Sequence, residues 1–158
     1  MSESLRQARA VALAAPALLL GGAYVAQYGF GLYPCEMCWW QRYPHFGALA
    51  LAGMAFVLPA GRRALIALAA LAILVSGVIG AYHAGVEFGW WRGLTTCAAS
   101  VSAGEGDPLD AIMNAPLVRC DVAQWRLIGI SLAGWNFVFS TAAALSIGVL
   151  LAKKRKAR

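Results

Sequence analysis

The stretch from 64 to 86, ALIALAALAILVSGVIGAYHAGV, carries no charged side chain between Arg63 and Glu87. An α-helix needs roughly 20 predominantly apolar residues to cross the hydrocarbon core of a bilayer, and this run supplies them. Three further uncharged runs, 10–34, 43–60 and 127–152, have the same character. The chain is 61% hydrophobic and 13% charged, against about 45–50% apolar and about 25% charged in soluble domains. A membrane protein is the class these numbers select. Lipid offers no hydrogen-bond partners, so a spanning backbone satisfies itself as helix, and short connections make successive helices antiparallel. The expected fold is all-α: one transmembrane domain over 1–158, an antiparallel four-helix bundle with spans at about 10–32, 43–60, 64–86 and 127–152. The second span is marginally short. Pro16 is expected to bend the first helix, and Gly77, Gly80 and Ala84 to permit close helix contact in the third.

The net charge of +6 does not form a nucleic-acid face, because the basic residues stand at the ends of apolar runs. Arg6 and Arg9 precede the first span, Arg62 and Arg63 separate the second from the third, and Lys153, Lys154, Arg155, Lys156 and Arg158 follow the fourth. The positive-inside rule makes these segments cytoplasmic, and with them both termini. The basic tail is an orientation signal that touches anionic headgroups. The first apolar run exceeds the roughly 7–15 residues of a signal peptide's apolar core and reads as a retained anchor. The remaining loops, about 33–42 and 87–126, face outward, which in a bacterium means the periplasm. The second is too short for a core of its own. In it, Asp107 reads as an N-cap, Pro108 as the first helical residue and Asp110 as a first-turn acid. Leu109, Ile112 and Met113 share a face of the short amphipathic helix this predicts, with Pro116 as its stop; it suits a membrane surface or the top of the bundle.

All four cysteines, Cys35, Cys38, Cys97 and Cys120, fall in the two outward segments. The outer compartment is oxidising, and two disulfides are the natural count. Cys35 and Cys38 form a C-x-x-C where the first outer loop enters the second helix, where N-terminal amides favour thiolate. With the helix starting near Cys35, Cys38 at i+3 and Arg42 at i+7 share one face. Arg42 is permanently charged and suits a thiolate or an anionic reduced quinone; its ordinary role would be an interfacial anchor. Zinc sites also use C-x-x-C, but such a site would require four cysteines from two loops to converge in an oxidising compartment. A structural bridge across the second loop would stabilise it by roughly 3 kcal/mol and leave the C-x-x-C unexplained. Trp39, Trp40, Trp90, Trp91, Trp125 and Trp135 read as an interfacial belt. His45 and His83 lie near the outer surface, and His83 is retained as a quinone-contact candidate.

Three blocks resemble the disulfide bond formation protein B (DsbB) family of bacterial inner membranes. They are Pro34-Cys35-Glu36-Met37-Cys38-Trp39-Trp40-Gln41-Arg42, Tyr82-His83-Ala84-Gly85-Val86-Glu87, and Cys120-Asp121 with Trp125, Gly129, Ser131, Gly134, Trp135 and Asn136. The resemblance implies a protein-dithiol:quinone oxidoreductase in the inner membrane, sustaining disulfide formation. Cys97, paired with Cys120, would meet a periplasmic DsbA-like partner of thioredoxin fold. Cys120 and Cys35 would connect the pairs, and Cys38 would be the thiolate beside the quinone (ubiquinone or menaquinone), assisted by Arg42. The link from DsbA through DsbB to quinone is itself a general statement about the periplasm. A vitamin K epoxide reductase-like protein is a competing expectation, although that family's C-x-x-C comes late in its bundle. The other competitor is a non-catalytic membrane protein with structural disulfides or a metal site.

Overall fold

The structure, a computed structural model, describes residues 2–95, 98–99 and 117–153. Cys97, the helix expected over Asp107–Met113 with its stop at Pro116, and the basic residues after Lys153 lie outside the described residues. Four helices dominate: α1 (Glu3–Phe30), α2 (Glu36–Val57), α3 (Arg62–Glu87) and α4 (Leu132–Ala152). Each packs on its neighbour in sequence and α4 closes the ring against α1, whereas α1 and α3 meet only weakly across it. The directions alternate. The first half of α2 meets the end of α3 through Gln41 and His83, while Arg62 at the start of α3 donates to the carbonyl of Ala55 near the end of α2.

α1, α3 and α4 are long and apolar enough to cross a membrane. α2, with 22 residues, is about 33 Å long at 1.5 Å per residue, but Glu36, Gln41, Arg42 and His45 lower its apolarity. Large apolar side chains project outward from the bundle, among them Leu18, Val57, Val78 and Val149, as a lipid-facing surface requires. The half of the bundle away from the cysteines is built from small residues, Ala8, Ala12, Ala48, Ala52, Ala55 and Ala69, with Ile66, Ile73 and Ile147 filling between them. Pro16 is buried within α1, and the helix continues unbroken around it. At Gly77 an added Cβ would lie 3.1 Å from Ser140 Cβ, and at Gly80 it would lie 2.8 Å from the Ala133 carbonyl oxygen. These two glycines let α4 approach α3.

The second helix begins at Glu36 with Cys35 as its N-cap, as expected from the C-x-x-C at its entry, so its charged first turn precedes the uncharged run 43–60. The fourth begins at Leu132, inside the uncharged run 127–152. Residues Arg126–Leu127 (β3) pair antiparallel with Ile130–Ser131 (β4) in a hairpin, and Ser131 then caps α4 by accepting from the Gly134 amide. The turn residues Ile128 and Gly129 have φ of 53° and 77°, the two positive values of a type I′ turn. A β-branched residue rarely adopts that conformation, so the apolar run Leu127–Ile130 conceals a turn. Ala98–Ala99 (β1) pair antiparallel with Leu117–Val118 (β2), joining the arms of the long connection between α3 and α4 just before Cys120.

Gly80→Ala is expected to lower the stability of the detergent-solubilised protein by about 1–3 kcal/mol, since the Ala133 backbone cannot yield freely. Gly53→Ala, with open space at its Cβ, serves as the control and should lose nothing in the same thermal unfolding series.

Candidate active site

The start of α2 gathers the sulfur chemistry. Cys35 is the N-cap, with φ −74° and ψ 174°, and its Sγ accepts from the Cys38 amide at 3.3 Å. Helical geometry brings Cys38 Sγ to 3.0 Å from Cys35 Sγ, with the Cys35 thiol donating. The third sulfur arrives from the long loop: Cys120 packs in one buried cluster with Cys35, Met37, Val86 and Val118. Thr95 Oγ1 donates to Cys120 Sγ at 3.1 Å. Cys35, Cys38 and Cys120 are free thiols here.

The N-terminal amides do not turn Cys35 into a thiolate. Its donation to Cys38, with burial second, pushes its pKa up from 9.0 to about 12. Burial likewise raises Cys120, against hydrogen bonds from the Met37 backbone and Thr95. In this thiol pair Cys35 keeps the proton and Cys38 Sγ is the accepting sulfur.

His83, on the last turns of α3, reaches the cluster from the side. Its Nε2 lies 3.1 Å from the Cys120 carbonyl oxygen, 3.6 Å from Cys35 Sγ and 3.8 Å from Glu87 Oε1. Its Nδ1 lies 2.9 Å from Gln41 Nε2. Behind Gln41 runs a buried polar chain through three helices. Asn136 Nδ2 on α4 donates to Gln41 Oε1 at 2.9 Å and to the Ser76 carbonyl at 3.2 Å. Asn136 Oδ1 meets His45 Nε2 at 3.0 Å and accepts from Ser140. Gln41, His45 and Asn136 form the part of the site with no role in the sequence reading. A polar residue every helical turn in an otherwise apolar run, Gln41 with His45 and Asn136 with Ser140, was the available signal.

Arg42 does not reach the headgroups as an anchor would. It is 6% exposed, donates to Gln27 Oε1 at 2.6 Å and to the Ala23 carbonyl at 3.3 Å, and stacks on Tyr24 and Trp39. Among the described residues it has no carboxylate partner, which is costly for a buried cation. Beside it opens a cavity of about 300 Å³, walled by apolar residues of α1 and α4 such as Leu19, Ala23 and Phe139. Cys35, Cys38, Arg42, His45 and His83 all border it.

Trp90, Trp91 and Trp125 are exposed at the cysteine end of the bundle. Trp91 also folds back on α3, stacking on Tyr82 and donating to the Tyr82 carbonyl. Its ring fills the space a Cβ at Gly85 would need, 2.0 Å from that position.

The sequence blocks that build this site recur in known proteins. The model of the family described as disulfide bond formation protein DsbB matches residues 5–150. The chain belongs to the DsbB family. Disulfide bond formation protein B of Verminephrobacter eiseniae is 33% identical over 154 residues, covering 90% of this chain and 83% of the relative. The protein of the same name from a Polaromonas species is 32% identical, covering 89% and 86%. Disulfide bond formation protein B 2 of Pseudomonas aeruginosa is 29% identical, covering 89% and 90%. No solved structure matches. Family membership and the apolar helices make this DsbB-family chain a multi-pass membrane oxidoreductase of disulfide formation.

The raised Cys35 pKa has a direct pH consequence. The folded, reduced protein holds this proton more tightly than the unfolded chain, so the resulting stability is fully present below pH 9.0 and is lost as pH rises through about 12. At pH 9, iodoacetamide is therefore expected to alkylate Cys35 of the reduced native protein more than tenfold slower than in the urea-unfolded chain. Mass spectrometry of the alkylated peptides measures it, and equal rates would contradict the thiol assignment.

Proposed function

We propose that this protein oxidises the dithiol of a periplasmic DsbA-like partner and passes the electrons to a membrane quinone. The observation that carries the reading is the cavity at the dithiol: apolar enough for a lipid-soluble ring, and bordered by Cys38 and by a buried arginine that has no acidic partner among the described residues. Such a site suits an acceptor that becomes more anionic on reduction. Bound there, a quinone would take up two electrons and two protons. Arg42, with guanidinium N–H groups beyond those given to Gln27 and Ala23, would hold a developing negative oxygen. His45 also borders the cavity, and its buried Nδ1 has no hydrogen-bond partner among the described residues.

The order of sulfurs supports a relay. A partner thiolate would attack Cys97 of a Cys97–Cys120 disulfide, releasing Cys120, and the partner's second thiol would complete its own disulfide. Cys120 would then attack Cys35 of a Cys35–Cys38 disulfide, with Cys38 leaving as the thiolate. Attack of Cys97 on the Cys120–Cys35 bond would restore the loop pair and leave Cys35 and Cys38 reduced. The arrangement suits this order, because Cys120 packs in the same buried cluster as Cys35 and Cys38 Sγ is the acceptor within the C-x-x-C. Energetics favour a strong terminal oxidant: a DsbA-like couple near −120 mV lies about 100 mV above a glutathione-like pool, so glutathione disulfide would face an uphill step of roughly 5 kcal/mol.

The same reading makes α2 a fourth span and places the cysteine end in the periplasm. Both termini and the Pro59–Gly61 turn are then cytoplasmic, with Arg6, Arg9, Arg62 and Arg63 on that side. The whole chain, 1–158, works as one transmembrane domain in the bacterial inner membrane.

Purified protein, reduced DsbA-like partner and a short-chain ubiquinone test the relay by quinone absorbance. Partner-dependent quinone loss is expected with the wild type and none with Cys38→Ser; absence of loss with folded wild type would sink the oxidase reading in favour of structural disulfides. Arg42→Met is expected to raise the KM for quinone about tenfold to a hundredfold, the worth of a charge-assisted hydrogen bond. An unchanged KM would remove Arg42 from the quinone site.

A further inference from the structure

Cys35 Sγ, Cys38 Sγ and a ring nitrogen of His83 lie within 4.8 Å of one another, a spacing that three ligands of a thiophilic metal ion would also have. The hydrogen bonds behind His83 argue that it is held out of that use. Carbonyl oxygens only accept, so the amide orientations follow from their neighbours. The Ser76 carbonyl requires Asn136 to present Nδ2, which then donates to Gln41 Oε1. The Met37 carbonyl, 3.1 Å away, independently requires Gln41 to present Nε2 on its other side. That amide nitrogen therefore points an N–H at His83 Nδ1. A neutral imidazole has one bare nitrogen and one N–H, so the bare nitrogen is Nδ1 and the proton is on Nε2. The acceptor found at Nε2, the Cys120 carbonyl, agrees.

We propose that Gln41 is a positioning residue that locks His83 as the Nε2–H tautomer, keeping its proton at Cys35 and Cys120 and withholding the ring nitrogen from divalent metal ions. A metal ion on Nε2 would drive the proton to Nδ1, against an N–H of Gln41 2.9 Å away. Metal-binding histidines have the reverse arrangement, donating the distal N–H to a carboxylate or carbonyl. The amide at Gln41 thus reserves a reduced C-x-x-C for disulfide exchange where zinc would otherwise poison it. The inference rests on the redox reading only in taking the reduced pair as a working state.

The test uses the reduced full-length protein in nanodiscs, without partner or quinone, so its outcome is independent of the relay assay. With 15N-labelled histidine, the wild type is expected to show His83 with a protonated Nε2 and a bare Nδ1; the chain has two histidines, and His45→Gln assigns the signals. Gln41→Glu replaces the donor with an acceptor and should move the His83 proton to Nδ1. It should also tighten Zn2+ binding, measured with zinc alone against a competing chelator, about tenfold to a hundredfold, and Cys38→Ser in that background should abolish the gain. A purely structural Gln41 would give no such gain. A wild-type His83 with its proton on Nδ1 overturns the proposal whether or not the variant folds, and so does a folded Gln41→Glu whose tautomer and zinc affinity match the wild type.

Discussion

Three helices are tied together at one side-chain amide. Asn136 on α4 spends its N–H groups on Gln41 of α2 and Ser76 of α3, and its oxygen accepts from Ser140 while facing His45. In an apolar bundle these groups have no water to fall back on, so each must find its partner in one relative placement of the helices. Packing of alanines alone would tolerate sliding; the amide network sets the depth of α2 against α3 and α4. Gly80 makes this possible, because an added Cβ there would meet both the Asn136 and Gln41 amides at 3.1 Å.

From that register the sulfur site follows. Fixing Gln41 fixes His83 one helix away, and His83 Nε2–H in turn holds the Cys120 carbonyl, so a loop residue is placed over the first turn of α2. The helix N-terminus contributes through Cys35 as N-cap, although here the amides serve to position sulfur more than to ionise it. The thiol proton stays on Cys35 because a neighbouring sulfur accepts it and burial opposes charge. The two cysteines of the C-x-x-C are therefore unequal before any partner or oxidant arrives.

From the sequence, the C-x-x-C beside Arg42 puts a functional role for it ahead of the ordinary role of a headgroup anchor. Folded, it is enclosed between Tyr24, Trp39 and the α1 backbone beside a cavity. Its charge has been carried inward at a cost that aromatic faces and neutral oxygens offset only in part. A cost retained at a single position beside the reactive sulfurs is what a binding site for an electron-accepting, anion-forming ligand calls for.

Composition and the uncharged runs were enough to determine a helical membrane protein, because spanning lipid demands length and apolarity that few other folds supply. Cysteine placement and the C-x-x-C with Arg42 marked the chemical end of the molecule, since those residue types are rare in apolar runs. The start of α4 was less legible: the uncharged run opens at Leu127 but the helix at Leu132, because hydropathy does not register a turn at Ile128–Gly129. The partners of Gln41, His45 and Asn136 were not legible at all. Their contacts join residues separated by 42, 91 and 95 positions, and only the packing of four helices decides which polar group meets which.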